Sequence, residues 1–316
     1  MYLGIEIGGT KLQLGVGRGD GPPLIELVRL EVDRSAGAEG IRRQISQAVQ
    51  PLIERHPIAA IGIGFGGPVD SRAGRVVKSH QIDGWQEFPL ITWCRQQFGL
   101  PAVLANDTDA GGLAEARFGA GRGRKVVFYT NVGSGIGGAL VVDGRLYCDG
   151  QRVTAEIGHL RPGVHADRAD QTVESLASGW AISNLARQML DESEWANSPA
   201  AQDLWVRCQG NAERLTTVDL AQAAAEGNAI AQAAFARSCQ TLGWALGQMI
   251  TLLAPEIVVV GGGVACAAEP VFLEPLRREI DRYVFPPHLG GFEVVPAALG
   301  EQMVVYGALA LAAGRA

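Results

Sequence analysis

Residues 3–11 read Leu-Gly-Ile-Glu-Ile-Gly-Gly-Thr-Lys, and the reading of this stretch decides the fold. Leu3 to Ile7 has the alternation of a strand, placing Leu3, Ile5 and Ile7 on one face and Gly4, Glu6 and Gly8 on the other. Gly8-Gly9-Thr10-Lys11 breaks it as a turn, Leu12 to Val16 reads as its hairpin partner, and Leu24 to Val32 as a third strand. A carboxylate inside such a strand costs several kcal/mol, on the order of the desolvation penalty of a buried ion, if it is left unpaired. Glu6 therefore needs a metal, Lys11 or backbone amides beside it, unless it is a strand-end group reaching water. The turn itself exposes backbone N–H groups, with a hydroxyl on Thr10 and a charge on Lys11, which suits a phosphate.

The pattern recurs. Val126 to Val132 reads as a strand running into Gly133-Ser134-Gly135-Ile136-Gly137-Gly138, followed by strand Ala139 to Val142. One glycine-rich turn is common in hairpins. Two of them, each between β segments, point to a polyphosphate gripped from both sides. Neither has the GxxxxGK[ST] spacing, and neither leads into a helix as a dinucleotide fingerprint does. Between them, Gly40 to Glu54 has helical spacing, Ile58 to Phe65 reads as a strand ending in Gly66-Gly67-Pro68, and Pro89 to Phe98 as a short helix. Ala102 to Ala105 reads as a strand stopped by Asn106-Asp107, ahead of a helix from Ala110 to Phe118. After residue 172 the chain is mostly helical to Leu253. Glu256 to Val260 then reads as a strand, Gly261-Gly262-Gly263 as a turn, Pro270 to Tyr283 as a helix and Gln302 to Ala313 as a terminal apolar helix. Two related α/β halves facing a cleft are the simplest architecture for that order.

Composition narrows the class. The 316 residues carry 27 Lys+Arg and 33 Asp+Glu, a net charge of −6, and glycine reaches 42 residues. No basic block invites nucleic acid, and no apolar run reaches the roughly 18–20 residues of a membrane span. The start lacks the basic region of a signal peptide. Five scattered cysteines without a CxxC pair support neither a disulfide framework nor a thiolate zinc site. A reduced, cytoplasmic enzyme is the expectation.

Several polar residues could carry chemistry. Asn106-Asp107 ends a strand on the side where α/β proteins bind ligands, although Asp107 or Thr108 could simply cap the following helix. Glu156 and His159 are three residues apart, and Glu174 could belong to the first turn of a helix. Gly261 to Gly263 would let a flat ligand approach the backbone, or make a tight strand-to-helix connection.

Taken in order, Glu6 to Lys11, Gly62 to Asp70, Asn106-Asp107, Gly133 to Gly138, Glu156-Ile157-Gly158-His159 and Gly261 to Gly263 resemble the ROK family (repressors, open reading frames, kinases) of sugar kinases over nearly the full length. The resemblance implies a two-lobed actin-like ATPase fold, each lobe a mixed sheet flanked by helices. The smaller N-terminal α/β lobe is expected at 1–108 plus 302–316 and the larger C-terminal α/β lobe at 109–301. It implies transfer of phosphate from ATP, with Mg²⁺, to a hexose hydroxyl, usually on C6, and closure of the lobes over the sugar to exclude water. Asp107 matches the family's general base. Asn106, Glu156, His159 and Glu174 match its sugar ligands, and Gly67 lies in its sugar-side loop. Gly8, Gly9, Thr10 and Lys11 with Gly133, Ser134 and Gly135 match the phosphate loops, and Gly261, Gly262 and Gly263 the adenosine region. A homodimer is implied by the same likeness, with neither nucleic acid nor membrane as partner.

Three departures stand out. Glu6 replaces the usual Asp, one methylene longer, so Mg²⁺ would be held differently, through water; fructokinases of the family share Glu there. The stretch from Leu160 to Gln171 has no cysteine where the family commonly has a zinc site, so no zinc is expected, and Arg161, Asp167, Arg168 and Asp170 are expected to pair in that loop instead. Gln81 stands ahead of Gly84-Trp85 where Asn is frequent. The competing reading is a ROK-type sugar-binding sensor with impaired catalysis. A repressor is disfavoured because the first phosphate turn starts by Gly8, leaving no room for a preceding DNA-binding domain.

Overall fold

The computed structural model describes residues 1–79, 81–150, 153–163, 166–168 and 170–314, without the side chain of residue 149. The chain forms β1 (Tyr2–Ile7), β2 (Lys11–Gly17), β3 (Glu26–Glu31), α1 (Gly37–Arg55), β4 (Ala60–Phe65), the short strands β5 (Val69–Asp70) and β6 (Arg75–Val76), α2 (Leu90–Phe98), β7 (Ala102–Asn106) and α3 (Asp107–Phe118). There follow β8 (Val126–Val132), β9 (Ile136–Val142), β10 (Arg145–Leu146), α4 (Val173–Ala177), α5 (Gly179–Asp191), α6 (Pro199–Arg207), α7 (Thr217–Ala225), α8 (Ala229–Leu253), β11 (Ile257–Gly261), α9 (Leu273–Tyr283), β12 (Glu293–Pro296) and α10 (Met303–Ala313). The strands assemble as β3-β2-β1-β4-β7 and β10-β9-β8-β11-β12, with β5 and β6 as a separate pair. Both larger sheets are mixed. β1 runs antiparallel to β2 and parallel to β4; β9 is antiparallel to β10 while β11 is parallel to β12. The architecture is α/β, as the alternation of strand, glycine turn and helix predicts.

Contacts divide the chain into two units. One comprises Met1–Tyr129, Ala139–Thr154 and Ala297–Ala316; the other comprises Thr130–Gly138 and Ala155–Pro296. In the first, Leu3, Ile5 and Ile7 of β1 pack with Ile41, Ile45, Val49 and Leu52 of α1 in one apolar core. The opposite face of the same sheet is covered by α10, and here glycine is required. A Cβ on Gly4 would lie 2.6 Å from the Val305 carbonyl, and one on Gly62 only 1.8 Å from that of Ala308. Gly307 repays the approach, since its own Cβ would lie 1.8 Å from the Ala110 carbonyl on α3. Backbone meets backbone where α10 passes Gly4, Gly62 and Ala110, and the side chains of Ala114, Val305, Tyr306 and Leu309 pack around these close points.

The second unit is organised around α8, which packs against α4, α5, α7 and α9. Gly243 and Gly247, one turn apart, let α9 lie close, with Glu279 and Tyr283 over them. Among the described residues no helix is long and apolar enough to cross a membrane. Strand β12 was not apparent in the sequence, because its four residues, Glu293 to Pro296, show a single buried position, Val294.

Close approach at α10 gives a stability prediction. Gly307→Ala should cost about 3 kcal/mol, because neither facing backbone can yield. Gly314→Ala, with nothing nearer than 3.6 Å, should stay within about 0.5 kcal/mol. Urea midpoints of the two variants against the parent chain check both.

Candidate active site

In the first unit the site starts where β7 ends. Asn106 has extended backbone and is the N-cap of α3, its Oδ1 accepting from the amides of Thr108 and Asp109. Its Nδ2 donates to the Gly67 carbonyl at 3.0 Å, so the Asn106 amide joins the cap to the Gly66–Gly67 turn. Neither Asp107 nor Thr108 is the cap, in contrast to the reading left open by sequence. Asp107 is the first helical residue instead. Its Oδ1 accepts from the Thr108 amide at 2.8 Å, while Oδ2 lies 3.3 Å from where a Cβ on Gly66 would sit. One oxygen is anchored and the other faces bare backbone. Burial pushes the carboxyl up to about 6, against the pull of the Thr108 hydrogen bonds and of Lys11.

Glu6 is 5% exposed and fully partnered. Lys11 Nζ lies 3.2 Å from its Oε1, and Gln13 Nε2 donates to its Oε2 at 3.0 Å. The same Lys11 and Gln13 nitrogens reach the Glu301 carbonyl at 3.3 and 3.1 Å, tying the hairpin to the start of α10. Burial raises the Glu6 carboxyl, Lys11 opposes this, and Asp107 adds to it. Of the compensators that the strand demands, Lys11 is present and Gln13 is the one sequence reading missed. The hairpin register supplies the signal, because a turn at Gly8 to Lys11 sets Gln13 directly across from Glu6.

The turn is closed by the Gly8 amide on the Lys11 carbonyl at 3.0 Å. Arg34 Nε donates to the Gly9 carbonyl at 2.8 Å and Nη2 to Gln81 Oε1 at 3.3 Å. Gln81 Oε1 lies 1.6 Å from an ideal Cβ at Gly9, so any larger residue there would have to displace the Gln81 side chain. Thr10 is exposed at the tip. Trp85 is buried against Phe65 with ring centroids 5.2 Å apart, a core role.

In the second unit Gly133 to Gly135 forms the turn between β8 and β9, and Ile136 already starts the strand. Glu174, in the first turn of α4, accepts from the Ile136 amide at 2.8 Å through Oε2. That oxygen is 2.7 Å from an ideal Cβ at Gly135. Glu174 therefore holds the turn, and α5 joins it through the Gly179 amide on the Gly133 carbonyl at 2.8 Å. Glu156 and His159 are exposed at the ends of a single 3₁₀ turn, Nε2 to Oε2 3.9 Å. Partial desolvation raises the Glu156 carboxyl, against the pull of His159 and with help from Glu174. In the loop from 160 to 171, Arg161 donates to the Asp167 carbonyl at 3.0 Å and Arg168 pairs with Asp170. Residues 164, 165 and 169 of that loop lie outside the described residues.

Gly261 ends β11. Gly262 has φ +91°, and its Cβ would lie 2.4 Å from the Val132 carbonyl. This excludes any other residue at 262, while Gly263 faces open space. Gly133, Ser134 and Gly263 line one cavity of about 590 Å³, walled by Trp180, Leu215 and Phe235. That volume suits a small organic ligand. Trp180 and Phe235 had no sequence signal, since they are separated from each other and from the glycines by tens of residues.

A sequence model of the ROK family matches residues 2–315. A glucokinase of Streptomyces coelicolor is 30% identical over 321 aligned residues, covering 99% of this chain and 97% of that protein. The crystal structure of a ROK family glucokinase from Streptomyces griseus, in complex with glucose and AMPPNP, is 31% identical, with TM-score 0.79 and 98% of each chain covered. A ROK hexokinase from Thermus thermophilus is 27% identical with TM-score 0.78, covering 99% and 98%. These enzymes share the actin-like ATPase fold, and two mixed sheets flanked by helices place the present chain in it. Similarity that runs through all but the terminal residues, and through the first glycine hairpin, the end of β7 and the turns after β8 and β11, leaves one conclusion: the chain belongs to the ROK family.

Proposed function

We propose that this chain is an ATP-dependent sugar kinase, phosphorylating a hydroxyl of a hexose, the 6-OH of glucose or a related sugar, with Asp107 as general base. The observation that carries the reading is the Asp107 carboxylate: one oxygen fixed by the start of α3, the other directed at a glycine turn, and a proton affinity set near neutrality. A base of that kind takes a proton from an alcohol as its oxygen attacks the terminal phosphorus, and the bond to the ADP oxygen breaks. General-base help of this type is worth about 10²–10⁴ in rate, the rest coming from position and charge.

The remaining residues divide by chemistry. Gly8 to Lys11 and Gly133 to Gly135 offer amides, hydroxyls and one ammonium to the phosphates. The cavity bounded by Trp180 and Gly263 takes the adenosine. Asn106, Glu156, His159 and Glu174 take sugar hydroxyls, since carboxylates and an imidazole can each bridge neighbouring ones. Gly67 shapes the loop that faces the sugar. A single buried carboxylate suits Mg²⁺ bound chiefly by the donor's phosphates; Glu6 would hold it through water, and the ion would neutralise charge on the transferred group. The glucose complex of the Streptomyces griseus enzyme supports the choice of sugar.

Coupled ADP release over glucose, fructose, mannose, N-acetylglucosamine and N-acetylmannosamine tests the reading. At least one sugar should give turnover, and Asp107→Asn should lower kcat by about 10²–10⁴ with the KM for ATP unchanged. Sugar binding without ADP from any of them would instead establish the sensor. Because the base must be ionised, kcat/KM should fall about tenfold per unit on the acid side of pH 6, read from a pH–rate profile. The raised carboxyl also sets a stability effect. The folded state binds the extra proton between about pH 4 and 6, so stability declines as pH rises through that window. Asp107→Asn should accordingly stabilise the fold by about 2 kcal/mol at pH 7.5, allowing for partial exposure, and leave it unchanged at pH 3.5; thermal melts at both pH values decide.

A further inference from the structure

The first glycine turn has carbonyls engaged by protein and amides left over. The Lys11 carbonyl accepts from the Gly8 amide at 3.0 Å, the Thr10 carbonyl from the Val32 amide at 3.1 Å, and the Gly9 carbonyl from Arg34 Nε at 2.8 Å. Among the described residues, the amides of Gly9 and Thr10 have no acceptor. Successive free amides suit a group that only accepts, such as a phosphate oxygen. Such a group also calls for positive charge. Sequence points to Lys11 for it, yet Lys11 Nζ lies 3.2 Å from Glu6 Oε1 and donates to the Glu301 carbonyl at 3.3 Å. One buried carboxylate already answers that charge.

Arg34 is placed differently. It is exposed, in the 3₁₀ turn that leads from β3 into α1. Among the described residues its partners are the Gly9 carbonyl, through Nε, and Gln81 Oε1 at 3.3 Å, through Nη2. No carboxylate is paired with it there. A guanidinium carries five N–H donors and keeps its charge at any working pH, so Nη1 and the second hydrogen of Nη2 remain. The anchors are themselves fixed. The amides of Gln81 and Ile82 both donate to Ser79 Oγ at 3.2 Å, and Ile82 is buried. The Ala38 amide, at the start of α1, donates to the Asp83 carbonyl at 2.9 Å. The segments that carry Arg34 and Gln81 therefore hold one another, and Gln81, one methylene longer than the Asn frequent in the family, carries its oxygen to the guanidinium.

We infer that Arg34 is the phosphate-binding cation of the first glycine turn: Nε and Nη2 anchor it on Gly9 and Gln81, and Nη1 donates to a non-bridging oxygen of the donor's triphosphate beside the Gly9 and Thr10 amides. A planar fork already held on one edge loses little freedom when the other edge takes an anion. The inference rests on assigning this turn to the nucleotide's phosphates, as proposed above.

ATP calorimetry, with ATP titrations at saturating sugar, tests it. Arg34→Ala should raise both Kd and KM for ATP by about tenfold or more, the loss of a charge-assisted hydrogen bond, and leave the sugar KM and the melting temperature unchanged. Arg34→Lys keeps the charge without the fork and should return to within about threefold of the parent chain. Equal losses in the Ala and Lys variants overturn the inference, since Arg34 would then act only by shaping the turn. An unchanged Kd for ATP in well-folded Arg34→Ala overturns it as well. A parent chain that binds ATP, weakens in Arg34→Ala and recovers in Arg34→Lys, yet phosphorylates no sugar, supports the inference and sinks the kinase reading. A parent chain that binds no ATP sinks both.

Discussion

Two backbones can meet at van der Waals distance only where no Cβ intervenes, and within each unit the placement of the candidate residues depends on that constraint. In the first unit Gly62 faces the Ala308 carbonyl and Gly307 the Ala110 carbonyl. The terminal helix is thereby pressed onto β4 and α3 together, and Asp107 is the first residue of α3. In the second unit a Cβ on Gly158 would lie 2.0 Å from the Ile136 carbonyl, and one on Gly262 2.4 Å from the Val132 carbonyl. Main chain packed on main chain locates the turn after β11 against β8, while the Glu174 side chain also holds the turn after β8. A fold located by bare backbone is rigid at those points, because there is no rotamer through which it can relax.

Charge is then arranged on this frame. The first unit buries Glu6 beside Asp107 with Lys11 near both. A buried anion stripped of its partner would cost several kcal/mol, on the order of the desolvation penalty, and here Lys11, Gln13 and the Glu301 carbonyl form one connected network. Like charge and low dielectric raise the Glu6 carboxyl, while Asp107 owes its elevation chiefly to burial, with Lys11 limiting the rise. The outcome is a carboxylate that is ionised at neutral pH yet basic enough to accept a proton. Glu115 shows the alternative solution. It is wholly buried, no cation among the described residues is paired with it, and its oxygens accept from the amides of Ala120, Ala298 and Leu299 at 2.8–2.9 Å. The same residue type is structural in one place and electrostatic in the other according to what surrounds it.

Much of this was legible in the residues. The first hairpin, the helix from residue 37, strands β4, β7, β8 and β11 and the terminal helix follow from periodicity and glycine punctuation, because each has a strong local pattern. Asp107 was singled out by position at a strand end. Where sequence reasoning fell short, the deciding contacts were distant or the pattern weak. The cap of α3 is Asn106 because its backbone is extended and its amide also binds Gly67, 39 positions away. Glu174 holds the turn 38 residues before it, which no local spacing encodes.

By itself, then, the order of residues determined an α/β chain with two glycine hairpins, an acidic residue in the first strand and an Asn-Asp pair at a strand end. Those are local properties, settled by backbone preference and by which side chains alternate. Only the tertiary structure decided which carboxylate is buried, which oxygen of Asp107 is open, and that Trp180, Phe235 and Gly263 wall one cavity. Burial and proton affinity arise from groups far apart along the chain, and they exist only once packing has brought those groups within a few ångströms of each other.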